Sequence, residues 1–230
     1  MKFNFSINIR LDKCIFSSPN DVLYVCAYLP PETSPVYHYY NIDNGIVALE
    51  DYLCDVIIEN LNVSLLISGG LNSRLSNFGT EVVNYDELED LSSCSLQLRR
   101  CSQDTIINTY GKCLLTLCTA LDLCILNGMC HGDREGCYTF ISDAGSSVVD
   151  YFLMSQCLFS HIYEYCFLNV VERPDSDHMP IHLLLNYNDD VTTLHKEVVD
   201  DIKVERYIWK DDKKKPFLPF QWNLIWQKKC

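Results

Sequence analysis

Two short apolar runs separated by one amphipathic stretch constrain this chain most. Residues 21–28 read DVLYVCAY and residues 63–68 read VSLLIS. Turn signals bound them: Ser18-Pro19-Asn20 before the first, Pro30-Pro31 after it, and Gly69-Gly70 after the second. Between them, over 44–61, Ile46, Leu49, Leu53, Ile57 and Leu61 recur at helical spacing. This pattern predicts strand, helix, strand. A second helix is expected around Tyr110, Leu114, Leu117, Cys118 and Leu121. Strands then follow at 124–127, 137–141, 147–153, 162–170 and 181–185, split by turns such as Gly132-Asp133 and Asp143-Ala144-Gly145. Helices alternating with strands early, and strands alone late, point to a mixed α/β (α+β) sandwich rather than an all-parallel doubly wound sheet. Residues 71–105, polar and acidic at 86–90, read as a long surface loop.

Apolar residues make up 48% of the chain, enough to bury a real core. No uninterrupted apolar window approaches the ~18 residues of a membrane span. The opening MKFNFSINIRLDK lacks the apolar segment of a secretory signal. An intracellular, non-membrane protein is expected. The 13 cysteines are odd in number and show no CxxC spacing, and several sit in apolar runs such as Leu123-Cys124-Ile125. They read as reduced, small core residues rather than zinc ligands or disulfides.

Charge is unevenly spread. Residues 1–190 hold 9 Lys+Arg against 25 Asp+Glu, a balance of −16; residues 191–230 hold 9 against 6, a balance of +3. Nucleic-acid binding draws on cations that neutralise phosphates, so a body at −16 disfavours it. Beyond residue 186 the periodicity fades. Residues 187–230 read as a C-terminal linker or tail with a short helix over 191–204, the run Lys213-Lys214-Lys215, and Trp209, Trp222 and Trp226.

Three segments carry candidate chemistry: Gly69-Gly70-Leu71-Asn72-Ser73-Arg74 after a strand, Val149-Asp150-Tyr151 inside one, and Ser176-Asp177-His178 before the last. Taken singly, each has a plain structural reading. Asp150 could be a fold-holding hydrogen-bond acceptor, since a carboxylate in an apolar strand needs a partner. Asn72 could close an Asx-turn, and Ser176-Asp177-His178 could be a turn. Taken together they offer a buried carboxylate to orient a histidine, beside another carboxylate and an amide, which suits metal-assisted phosphodiester hydrolysis.

In order along the chain stand Tyr28-Leu29-Pro30-Pro31, the 69–74 segment, Leu126-Asn127-Gly128, Tyr138-Thr139-Phe140, Val149-Asp150-Tyr151 and Ser176-Asp177-His178. The series resembles the endonuclease/exonuclease/phosphatase superfamily, most closely the endonuclease-like domain of LINE-type retrotransposons, over roughly residues 8–186. The resemblance implies a four-layer α/β sandwich of two packed mixed β-sheets flanked by helices. It implies a partial domain over 1–186 that lacks the family's N-terminal strands.

It also implies roles. Asp150 and His178 would form the orienting pair, and Asp177 would sit beside Mg²⁺, the family's cofactor. Asn72 would hold the attacking water or a phosphate oxygen, Tyr28 would donate toward the phosphate, and Thr139 would line the site. Two departures stand out. Gly70 occupies the place of the family's catalytic Asp. The family's metal-binding Glu lies upstream of the tyrosine motif, and the 27 residues before Tyr28 hold no acid ahead of Asp12. The expected function is therefore a Mg²⁺-dependent phosphodiester hydrolase of retrotransposon origin, acting on nucleic acid but catalytically impaired. The alternative is a non-catalytic module that binds a basic protein through its acidic body, or single strands through its basic, aromatic tail.

Overall fold

The computed structural model of the chain describes residues 6–16, 18, 20–78, 96–97, 99–167 and 176–187, and the backbone of 223–228. Strand β1 (Ser6–Leu11) runs antiparallel to β2 (Asp21–Ala27). The short helix α1 (Pro35–Tyr40) follows, capped by the Ser34 side chain and stopped at Asn41, whose φ of 54° is left-handed. Helix α2 (Gly45–Glu59) starts where the Asn44 side chain accepts hydrogen bonds from the Ile46 and Val47 amides at 2.8 and 3.2 Å. It carries the chain over to β3 (Val63–Gly70), which pairs with β2 in parallel, Asp21 beside Val63 and Cys26 beside Ser68. The expected strand–helix–strand unit is present.

Helix α3 (Thr109–Ala120) follows, then β4 (Leu123–Ile125), a hairpin of β5 (Phe140–Ser142) and β6 (Gly145–Ser147), then β7 (Asp150–Ser155). The large sheet has the order β1-β2-β3-β7-β4. A smaller sheet orders β10 (Asn223–Lys228), β9 (Ile181–Tyr187) and β8 (Ile162–Phe167), with β9 antiparallel to β8 and parallel to β10.

Strand period 2 explains the layering. Leu65 and Ile67 of β3, with Leu23, Val25, Tyr151 and Leu153, face Ile46, Leu49, Leu53, Leu114 and Leu117 of α2 and α3. Leu66, with Val22, Tyr24, Phe152 and Met154, faces Tyr165, Ile181, Leu183 and Leu185 of the smaller sheet. The molecule is thus a mixed α/β sandwich whose large mixed sheet lies between helices and a second sheet. Each fully buried Leu or Ile contributes roughly 1.5–3 kcal/mol, so β3, covered on both faces, anchors the fold.

The structure adds what the pattern did not give. Strand β1 is a sheet-edge strand with Ile7 and Ile9 at 56% and 39% exposure, so burial does not mark it. Residues 71–78 and 99–108 are not surface loop throughout, since Ser73, Arg100, Ser102 and Asp104 are buried. Among the described cysteines, all free, Cys118, Cys124 and Cys130 lie in the core, whereas Cys14, Cys54, Cys101 and Cys157 are exposed. The acidic stretch 86–90 and the helix expected at 191–204 fall outside the described residues, as do Lys213–215, Trp209 and Trp222. Among the described residues no helix is long and apolar enough to cross a membrane.

Candidate functional site

The site forms where β3 and β7 end side by side, Gly70 opposite Asp150. Gly69 must be glycine: its φ is 145°, and an added Cβ would lie 1.7 Å from the Ala27 carbonyl oxygen. This close approach lets the Leu29 amide donate to the Gly70 carbonyl at 2.8 Å and draws the Tyr28–Pro31 segment beside the strand end. Leu71 and Asn72 then donate their amides to the Val149 carbonyl at 2.9 and 3.2 Å. Asn72, with a left-handed φ of 51°, donates its side-chain Nδ2 to the Leu29 carbonyl at 2.7 Å.

Asp150 is 1% exposed. Its Oδ2 lies 2.8 Å from His178 Nδ1. With the carboxylate ionised, it can only accept, and Nδ1 is then the donor of this bond. Burial raises the Asp150 carboxyl above its ordinary value, opposed by the His178 contact and the Thr139 hydroxyl. Thr139 is fully buried, and its Oγ1 accepts the Val149 and Asp150 amides at 2.9 and 3.0 Å. Residues 177–179 pair across residues 139–141: Ile141 donates to the Asp177 carbonyl and Met179 to the Thr139 carbonyl, each at 2.7 Å. This bridge sets the His178 ring edge-on to Phe140, with centroids 4.9 Å apart, and against Asp150. Tyr28 is 43% exposed. Its phenol is pushed up first by burial and then by the Asp150 charge, with an Asn72 hydrogen bond opposing.

Asp150, His178, Thr139, Asn72 and Tyr28 therefore gather around one strand end. Asp177 is exposed, and its carbonyl, not its carboxylate, has a defined partner here. Gly70 sits at the centre. A Cβ there would lie 3.1 Å from Asp150 Oδ1 and 3.2 Å from Tyr28 Cδ2, and Oδ1 has no hydrogen-bond partner.

A divalent cation needs several oxygen donors converging at once. Among the described residues no group of three or more His, Cys, Asp or Glu is placed to hold one. Asp150 gives Oδ2 to His178 and turns Oδ1 to Gly70, and Asp177 is exposed. The described carboxylates do not by themselves make a Mg²⁺ cage.

Two supports of the site involve Arg74 and Asn127, to which the ordered motifs assign no role. Arg74 pairs with buried Asp104, Nε to Oδ2 at 2.8 Å and NH2 to Oδ1 at 2.7 Å, while Asp104 Oδ2 also accepts the Val148 amide at 3.1 Å. The pair ties the segment after β3 to the one before β7. Asn127, two residues beyond β4, bonds both flanks of Tyr151, donating to the Asp150 carbonyl and accepting the Phe152 amide. A lone amide at the end of an apolar run was its signal; Asp104 had none beyond its type.

No protein-family model matches the chain, and no curated protein matches it. Solved structures do resemble it. They include a 3′ phosphatase, NExo, from Neisseria bound to product DNA hairpin: 16% identity, 70% of this chain and 59% of that one, TM-score 0.43. The endonuclease domain of TRAS1, a telomere-specific non-LTR retrotransposon, matches at 14% identity, over 76% and 61%, with TM-score 0.43. An AP endonuclease, LMAP, from Leishmania major matches at 14%, over 70% and 49%, with TM-score 0.46. The chain spans about half to three fifths of these proteins' length.

Proposed function

We propose that this chain is an endonuclease/exonuclease/phosphatase-type domain of retrotransposon origin. Its ancestral chemistry is phosphodiester hydrolysis on nucleic acid, and that chemistry is impaired here. Asp150 orients His178, which serves as donor toward a developing oxyanion. Tyr28 and Asn72 hold phosphate oxygens or water, and Thr139 fixes the Asp150 backbone.

The observation that carries the impairment is the glycine at position 70. Where the resemblance puts a carboxylate to activate water, the Gly70 backbone stands bare beside Asp150 Oδ1. Removing a positioned general base costs about 100- to 10,000-fold. A site whose described donors make no cation cage also forgoes the several kcal/mol of charge stabilisation that a metal brings.

The test is nicking of supercoiled plasmid by the full chain with Mg²⁺ and with EDTA. The expected result is no EDTA-sensitive nicking. EDTA-sensitive nicking that vanishes in His178→Ala would overturn the impairment and keep the family chemistry.

A further inference from the structure

The geometry points to Asn127 as the residue that positions Asp150 for His178. Strand β4 pairs with β7 as far as Ile125 beside Leu153, and the Leu126 amide then donates to the Phe152 carbonyl at 2.9 Å. At Gly128 the backbone leaves the sheet: its φ is 73°, and an added Cβ would lie 1.8 Å from the Cys101 carbonyl oxygen. No β4 backbone remains to meet Asp150.

The Asn127 side chain takes over the ladder. Its Nδ2 donates to the Asp150 carbonyl at 3.0 Å, and its Oδ1 accepts the Phe152 amide at 3.1 Å. A primary amide has the donor–acceptor layout of a peptide group, so it continues the sheet by one more position. On the other side, Thr139 Oγ1 accepts the Asp150 amide at 3.0 Å. Two side chains therefore hold the peptide groups on either side of the Asp150 Cα. Asn127 is fully buried, so removing it leaves a carbonyl and an amide unsatisfied, each costly away from water. The strand end then shifts toward new partners, and the carboxylate shifts with it relative to the ring, which the pairing of 177–179 with 139–141 holds without Asn127.

The inference builds on reading Asp150 and His178 as the working pair of the site. Its test reads their hydrogen bond and not hydrolysis, so plasmid nicking and this experiment fail separately. In proton NMR of the full chain, the His178 Nδ1 proton should give a downfield, slowly exchanging resonance. Asn127→Ala should lose it. Asn44→Ala, which removes the cap of α2 and loosens the fold elsewhere, should keep it. A folded Asn127→Ala chain that retains the resonance overturns the inference. Should Asn127→Ala fail to fold, the wild-type chain decides. The Asn127 side-chain amide protons must exchange slowly with solvent, and exchange as fast as an exposed asparagine overturns the inference.

Discussion

Arg74 and Asp104 face each other as a two-pronged ion pair, with Asp104 buried and also receiving the Ile106 and Val148 amides. Burial raises the Asp104 carboxyl, but the Arg74 hydrogen bonds and the two amides outweigh it, leaving it below its ordinary value of 3.8. A depressed folded value means stability that is present above pH about 3.8 and lost as pH falls through the folded value. Asp104→Asn should therefore cost about 3 kcal/mol at neutral pH, in the range for breaking a buried pair. It should also flatten the acid limb of the stability curve. Urea midpoints measured at several pH values check both.

Adjacent glycines should respond very differently. Gly69→Ala forces a Cβ into the Ala27 carbonyl at a backbone conformation that side chains avoid, and should cost at least ~3 kcal/mol. Gly70→Ala meets only Asp150 Oδ1 and the half-exposed Tyr28 ring at the edge of contact, and should cost about 1 kcal/mol. Gly70→Asp adds a carboxylate beside a buried one, so its penalty should exceed that of alanine and grow as pH rises. Denaturant midpoints separate the three.

Asn108 serves three groups at once. Its Oδ1 accepts the Gly111 amide at 2.7 Å, capping α3, and the Arg74 amide at 2.8 Å, while its Nδ2 donates to the Asn72 carbonyl at 3.1 Å. Asn108→Ala should cost about 2 kcal/mol, the upper end for a lost cap. It should also speed amide exchange at Arg74 as well as at Gly111, which a simple capping role would not do.

Magnesium binding should be weak. Calorimetric titration with MgCl₂ is expected to show no stoichiometric uptake, and Asp177→Asn should leave the trace unchanged. Tight uptake at one ion per chain, abolished by Asp177→Asn or Asp150→Asn, would mean that the donors converge after all.

Legibility followed the range of the forces. The strand–helix–strand unit was readable because Leu23, Val25, Leu49, Leu53, Leu65 and Ile67 are spaced by the element that carries them. Asp150 was readable as a residue needing a partner because a carboxylate amid Val148, Val149 and Tyr151 is costly alone. That His178 is the partner came from the ordered motifs, since 28 positions separate the two. Strand β1 and helix α1 were not readable: one exposes its isoleucines, and the other spans six residues and buries only Tyr37. Asp104 and Asn127 act through backbone groups 44 and 23 residues away, and the identity of those partners is recorded by no local pattern.

The outer margin of β1 has a consequence for the chain in solution. Among the described residues it has no neighbour on that side, and Ile7 and Ile9 stand bare next to it, a template for other copies to join. The shared net charge of −13 opposes that joining. Salt shortens the reach of that repulsion to about 3 Å near 1 M, so light scattering should show the chain self-associating as ionic strength rises. Ile9→Lys, which plants a like charge on the open margin, should hold it monodisperse.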